Sequence, residues 1–213
     1  MTGMNAMLFI GGGRAPRQVI ERFVTGATLI AAADSGYDSA LAAGYSPGLL
    51  VGDMDSISVS DGDRGGEGLE VLQFDTHKDR TDTELLFRIV KERGADHIVL
   101  AGGGSAGRMD HELGILTMFE REEHPDVWIN DRAEIHCIDH AVHEYRVELG
   151  QTVSVFPVGR GPWHIRSSGL KWPLQEVRWS REVAGVSNLA VLTDISVTVH
   201  HGRLLIVYPY SVS

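Results

Sequence analysis

Cysteine is nearly absent: Cys137 is the single one in 213 residues. It has no partner for an internal disulfide and no second thiolate for a metal site, which fits a reducing cytoplasm. Long apolar runs are also missing. No stretch approaches the roughly eighteen apolar residues of a membrane-spanning helix. The segment Met1–Ala6 lacks the basic region and apolar core of a secretory signal. A cytoplasmic protein without a membrane partner is therefore expected. Positive charge is scarce, since 19 Lys and Arg against 29 Asp and Glu leave a net charge of −10. That deficit argues against a broad nucleic-acid surface, although solubility alone accounts for much of the acidity. Internal repeats and low-complexity tracts are absent. The chain has no helical His-Glu-x-x-His and no Gly-x-Gly-x-x-Gly after its first strand pattern. What remains is an ordinary globular composition, 43% hydrophobic and 23% charged, long enough for one large domain or two small ones.

Against these absences, carboxylates are concentrated in two short segments at the edges of apolar runs, Gly52-Asp53-Met54-Asp55-Ser56 and Lys78-Asp79-Arg80-Thr81-Asp82. In extended backbone, residues two apart point the same way, so Asp53 and Asp55 can aim at one point. Converging carboxylates repel unless a cation lies between them. Hard oxygen ligands suit Mg²⁺, which commonly takes one or two carboxylates plus substrate phosphates. Phosphate chemistry is the first hypothesis, with an Asp-rich surface turn as the alternative.

The first half alternates short apolar runs with helical patterns. Met7–Ile10 runs into Gly11-Gly12-Gly13, with Pro16 suited to a helix start. Thr28–Ala33 ends at Asp34-Ser35-Gly36, and a helical stretch through Ala40–Ala43 stops at Gly44. Leu49–Val51 leads into the first acidic motif, and Leu69–Phe74 into the second. Thr81-Asp82-Thr83-Glu84 has the spacing of a capping box, followed by the apolar face Leu85, Leu86, Ile89 and Val90. His97–Ala101 runs into Gly102-Gly103-Gly104, a helix is expected over Met109–Arg121, and Val127–Ile129 follows as a strand. Such strand–loop–helix units predict a parallel sheet covered on both faces. After about Ala133 the pattern becomes strand upon strand: 133–138, 145–149, 152–158, 187–192, 196–199 and 204–208. His201-Gly202 reads as a hairpin turn before the last of these. The expected fold is an N-terminal Rossmann-like α/β domain, residues 1–135, plus a C-terminal antiparallel β-sandwich, residues 136–213.

Ligands of an open parallel sheet bind beyond the carboxyl ends of its strands. The residues following the expected strands are Asp34-Ser35-Gly36, Gly52–Ser56, Asp75–Asp82 and Gly102–Asp110, so they converge on one edge. Gly102 and Gly107 have the spacing of a phosphate loop, but Arg108 and Met109 stand where Lys and Ser/Thr are required. What survives is that glycines admit backbone amides to an anion and Arg108 can pair with phosphate oxygens. Simpler readings stand beside these: tight turns for Gly11–Gly13, first-turn acid for Asp82, and helix capping for Asp110 and His111. His136, His140 and His143 read as surface residues, and Trp172 by itself as a sandwich-core aromatic.

Together these segments resemble the thiamine pyrophosphokinase family. Asp34-Ser35-Gly36 is similar to its Ala-Asp-Gly-Gly, and Gly52–Ser56 to its Gly-Asp-Phe-Asp-Ser. Lys78–Glu84 is similar to its Lys-Asp-x-Thr-Asp-x-Glu, and Gly107–His111 to the end of its Gly-Gly-Arg-x-Asp-His. Gly169-Leu170-Lys171-Trp172-Pro173-Leu174 and Ser187-Asn188 match its thiamine-domain segments in order. Ser35, Met54 and Leu189 stand where the family usually has Gly, Phe and Glu.

The resemblance implies transfer of pyrophosphate from ATP to the thiamine hydroxyl, leaving AMP, in a homodimer with thiamine bound across the interface. It implies that Asp53, Asp55, Asp79 and Asp82 hold or orient Mg²⁺, with Asp55, Asp79, Asp82 and Arg108 as the catalytic set. Asp34, Ser35, Lys78, Arg108, Asp110 and His111 would serve the nucleotide. Ser167, Ser168, Ser187 and Asn188 would line the thiamine end, with Trp172 stacking on the ring. Two rivals are a related pyrophosphotransferase acting on a pterin-like hydroxymethyl heterocycle, and a non-catalytic nucleotide- or thiamine-binding regulator.

Overall fold

The computed structural model describes residues 3–53, 68–75, 79–106 and 108–210. The chain divides into two compact units, Met1–Met118 with Val127–Arg132, and Phe119–Asp126 with Ala133–Ser213.

The first unit carries β1 (Met4–Gly12), α1 (Arg17–Val24), β2 (Leu29–Ala33), α2 (Gly36–Ala42), β3 (Leu49–Gly52), β4 (Glu70–Gln73), α3 (Asp82–Glu92), β5 (Ala95–Gly103), α4 (Met109–Met118) and β6 (Val127–Ile129). Its strands are all parallel, in the order β4-β3-β2-β1-β5-β6. The central strands are buried on both faces, which is why Met7–Ile10, Ala31–Ala33 and Ile98–Ala101 are continuous apolar runs rather than alternating ones. The order reverses between β1 and β5, so their carboxyl ends flank a topological switch point.

Local signals set the helix ends. Thr81 caps α3 reciprocally: its hydroxyl accepts the Glu84 N–H at 3.2 Å, and Glu84 Oε2 accepts the Thr81 N–H at 3.0 Å. The helix α2 begins on Gly36, where a Cβ would stand 2.2 Å from the Phe9 carbonyl. Only glycine lets that helix start so close to β1. The expected helix over Met109–Arg121 ends earlier, at Met118.

The second unit carries β7 (Ala133–Asp139), β8 (Val142–Arg146), β9 (Thr152–Val158), β10 (His164–Ser168), β11 (Gly185–Leu189), β12 (Asp194–His201) and β13 (Arg203–Pro209). One antiparallel sheet runs β11-β9-β13-β7, the other β10-β12-β8. Val153, Val155, Leu204 and Ile206 of the first meet Ile165, Ile195, Val197 and Val199 of the second in one buried core. The expected combination of α/β domain and β-sandwich is the one observed.

Three details differ from expectation. His201-Gly202 is not a hairpin turn, because β12 and β13 belong to different sheets and Gly202, at φ +88°, carries the chain from one to the other. β10, absent from the expected strands, turns only Ile165 into the core and so has almost no apolar signature. His136 is not a surface residue. It is half-buried, its Nε2–H donates to Glu134 Oε1 at 2.6 Å, and its ring meets Tyr145 and Tyr208 edge-on at 5.4 and 5.8 Å. No helix among the described residues is long and apolar enough to cross a membrane.

Candidate active site

A cavity of about 320 Å³ opens where β1 and β5 part. Gly11 and Gly12 from the end of β1, Gly103 from the end of β5, and Ala33 from the end of β2 form its floor. Asp34 and Ser35 enter from the β2–α2 turn, Thr81, Asp82 and Thr83 from the start of α3, and Arg108, His111 and Glu112 from the start of α4. Three separate segments that follow strands or begin helices thus deliver carboxylates, hydroxyls and a guanidinium to one space.

Asp34 sits in the left-handed region at φ +43°, a conformation non-glycine residues rarely adopt and one concentrated at functional sites. It is held by its own N–H donating to Val51 O at 3.1 Å and by its carbonyl accepting from Tyr37 N at 2.9 Å. Its carboxylate lies directly over Gly52, where a Cβ would come within 1.7 Å of Oδ1. The glycine of the first acidic motif therefore makes room for the aspartate of the preceding loop. One carboxylate oxygen each of Asp34 and Asp82 is shielded from solvent.

Arg108 and Asp110 form a two-point pair, Nε donating to Oδ1 at 3.1 Å and Nη2 to Oδ2 at 2.5 Å. The hydrogen bond to Asp110 raises the Arg108 guanidinium above its ordinary value, and the same bond holds Asp110 below the usual carboxylate range. The His111 N–H also donates to Asp110 Oδ1 at 3.1 Å, so Asp110 is tied to the first turn of α4 while it fixes the direction of Arg108.

Of the residues expected to serve the nucleotide, Asp34, Ser35, Arg108 and His111 share the cavity with Asp82 of the expected metal set, and Asp110 pairs with Arg108. Asp53 immediately follows β3 and its carbonyl accepts from Gln73 Nε2 at 3.4 Å, but it is not among the cavity-lining residues. Asp79 is exposed and outside the lining. Asp55 and Lys78 lie outside the described residues. Thr83 and Glu112 line the cavity without having been expected there; each neighbours an expected residue, the only signal available in sequence. Asp131, also unexpected, anchors the glycine turn after β5: its Oδ1 accepts the Ser105 N–H at 3.0 Å and its Oδ2 the Ser105 hydroxyl. Burial pushes the Asp131 carboxyl up, but the Ser105 hydrogen bonds outweigh it and leave the group below its ordinary value. The anion held at the Ser105 amide is thus the protein's own. The buried Trp128 indole N–H donates to Gly102 O at 2.8 Å and stiffens the same turn.

In the second unit, Trp172 is 51% exposed, which excludes the core-aromatic alternative. Lys171 Nζ lies 4.7 Å from the centre of its ring. Asn188 is buried and bonds the Trp172 backbone at both ends. Ser167 Oγ accepts the Leu174 N–H at 3.0 Å, closing the Gly169–Leu174 loop from the other side. Ser187, at φ +61°, donates its N–H to Ser154 Oγ at 3.1 Å, and Ser168 ends β10 opposite Ser196. Ser167 of β10 and Asn188 of β11 therefore brace the loop that carries Trp172.

The fold and this cavity define a Rossmann-like α/β protein with an acidic, glycine-floored site at a topological switch point, joined in sequence to a β-sandwich. The chain belongs to the thiamin pyrophosphokinase family. The family's catalytic domain matches residues 20–130, and its vitamin B1 binding domain matches residues 136–204. Among named relatives, thiamine pyrophosphokinase 2 of Arabidopsis thaliana is 29% identical over 143 residues, covering 61% of this chain and 53% of the plant protein. Thiamine pyrophosphokinase 1 of the same plant is 28% identical over 168 residues, covering 72% and 62%. The matches thus span little more than half the length of these relatives. In fold, the chain is similar to the thiamine pyrophosphokinase from Bacillus subtilis, with a TM-score of 0.78 at 21% identity over 98% of this chain and 100% of the other. The thiamin pyrophosphokinase from Candida albicans gives 0.73 at 15% identity over 97% and 90%.

Proposed function

We propose that this protein is a Mg²⁺-dependent thiamine pyrophosphokinase, which transfers the terminal pyrophosphoryl group of ATP to the hydroxyl of thiamine and releases AMP. The observation that carries the reading is the meeting of Asp34, Asp82 and Arg108 in one cavity at the β1/β5 switch point, in a chain matched by both domains of the family. In this reading residues 1–135 form the ATP and Mg²⁺ domain and residues 136–213 the thiamine domain.

The reaction joins the thiamine hydroxyl oxygen to the β-phosphorus of ATP and breaks the bond from that phosphorus to the oxygen bridging the α-phosphate, which leaves on AMP. The hydroxyl proton is released. Such transfer is mostly a matter of positioning and charge neutralisation. Arg108, aimed by Asp110, supplies a planar cationic clamp for phosphate oxygens. His111, Asp34 and Ser35 border the same space and serve the nucleotide.

The donor set fits Mg²⁺: Asp34 and Asp82 contribute hard carboxylate oxygens to one cavity, and Mg²⁺ needs only one or two before phosphates and waters complete its shell. Among the described residues no group of three or more His, Cys, Asp and Glu is arranged to hold a metal by itself. In this reading Asp53, Asp55, Asp79 and Asp82 would hold or orient the ion, joined by Asp34. Bound Mg²⁺ would neutralise charge on the transferred phosphates.

At the thiamine end an exposed indole suits a cationic thiazolium, worth roughly 0.5–2 kcal/mol. Asn188 and Ser167 hold the loop that carries it, and Ser168 and Ser187 lie alongside. A homodimer in the cytoplasm completes the reading. The exposed apolar side chains of Val142, Leu149, Val186 and Leu192 support self-association, and light scattering behind size-exclusion chromatography measures it.

Incubation with ATP, Mg²⁺ and thiamine, followed by chromatography, tests the reaction. AMP and thiamine diphosphate are expected in equal amounts. ADP in place of AMP, or no turnover, overturns the reading.

A further inference from the structure

The short loop after β6, Asn130-Asp131-Arg132, contributes nothing to the cavity lining, yet it bonds one lining residue, Glu112, and the Ser105 turn that follows the lining residue Gly103. We propose that Asp131 is a positioning residue for the nucleotide: its carboxylate holds the Gly104-Ser105 turn, and through it the start of α4 that presents Arg108 and His111. This inference rests on reading the cavity as the nucleotide site.

Both oxygens of Asp131 are taken by Ser105, Oδ1 by the backbone N–H and Oδ2 by the hydroxyl. A carboxylate held by two donors of one residue fixes that residue in direction as well as distance. The packing around it requires two glycines from different loops. A Cβ at Gly104 would stand 1.9 Å from Asp131 Oδ1, and one at Gly13 would stand 2.5 Å from the carboxyl carbon. The segments following β1, β5 and β6 therefore meet on one carboxylate. The adjacent residue grips α4 itself: Arg132 Nη2 donates to Glu112 Oε2 at 2.6 Å, and Glu112 lines the cavity. Asn130, buried, closes the loop by accepting the Arg132 N–H at 2.8 Å through Oδ1. The loop thus bonds both the turn after β5, at Ser105, and α4 itself, at Glu112. Only two residues separate Ser105 from Arg108, so freedom at the turn becomes misplacement of the guanidinium.

The test compares Asp131→Ala, Asp131→Asn and Ser105→Ala with the wild type, by steady-state kinetics and by amide hydrogen exchange over residues 102–106. Asp131→Ala is expected to raise the KM for ATP by about tenfold or more while leaving the KM for thiamine unchanged. Exchange at 102–106 should accelerate, with exchange in α3 unaltered. Asp131→Asn keeps an acceptor for the Ser105 N–H and should recover part of the loss. Should Asp131→Ala fail to fold, Ser105→Ala removes only the hydroxyl bond and is expected to move the ATP KM in the same direction by a smaller factor. Unchanged ATP KM and exchange, or an equal rise in both KM values, overturns the proposal. A wild-type chain without turnover would overturn the functional reading, and the exchange comparison would still decide whether Asp131 holds the turn.

Discussion

The side-chain amide of Asn188 bonds both backbone groups of Trp172: Oδ1 accepts the Trp172 N–H at 3.1 Å and Nδ2 donates to the Trp172 carbonyl at 2.6 Å. The same Oδ1 accepts the Leu189 N–H at 2.9 Å. With its amide committed to backbone and only 4% of its surface exposed, Asn188 holds the loop and is not itself presented at the surface. Trp172 is the side chain presented.

Asn188→Ala should leave buried backbone groups without partners and cost about 1–3 kcal/mol of stability. Because the loop carrying Trp172 loosens, the thiamine KM should rise while the ATP KM stays. Denaturant melts and steady-state kinetics check both, and an unchanged thiamine KM would separate this loop from thiamine binding.

Trp172→Ala removes a ring that is half in solvent, so stability should hardly change. Loss of a cation–π contact predicts a rise in thiamine KM of roughly 2- to 30-fold, with ATP KM unaffected. Equal effects on both substrates would argue against stacking.

Asp82→Asn keeps the shape of the α3 terminus and removes one carboxylate charge from the cavity. The Mg²⁺ concentration needed for half-maximal rate should increase by roughly tenfold or more, with a small change in melting temperature. Titration of the initial rate with Mg²⁺ is the measurement, and an unshifted curve would remove Asp82 from the metal set.

Thr81→Ala breaks the capping box seen between Thr81 and Glu84. About 1 kcal/mol of stability should be lost, a fall in Tm of roughly 2–4 °C for a chain of this size. Calorimetry reads the change directly.

Cys137 provides a pH signature. Burial is the main cause pushing its thiol from an ordinary 9.0 up to about 12, with nearby Arg203 opposing. The folded state keeps the proton longer than the unfolded one. Its contribution to stability is therefore fully present below pH 9.0 and is lost as pH rises toward about 12. Thiolate reagents should react slowly with native protein at pH 8 and rapidly after unfolding, and Cys137→Ser should flatten the alkaline part of the stability profile.

How much of this was readable in the chain depends on how local each signal is. The capping box at Thr81 needs only four residues and was legible. So was the alternation of strands with loops ending in Asp34, Asp53 and Gly102. The reading of His201-Gly202 as a hairpin failed for a physical reason: a turn residue marks a bend, while the choice of sheet for the strand beyond it depends on distant partners. The segment His164–Ser168 was missed because one inward isoleucine makes no periodicity. Asp131 had no signature at all, since its partner Ser105 lies 26 positions away and its seat is shaped by Gly13 and Gly104.

By itself the sequence determined the order of elements in the first unit, the two-part architecture and the supply of carboxylates and Arg108 at strand ends. These follow from hydrophobic periodicity, capping and turn chemistry, which act within a few residues. Only the tertiary structure decided which of those groups share a cavity. Strand order brings the ends of β1 and β5 together, so Asp34, Asp82 and Arg108 meet while Asp79 stays outside. It also decided that Trp172 faces solvent rather than the core, because buried Asn188 claims the backbone beneath it.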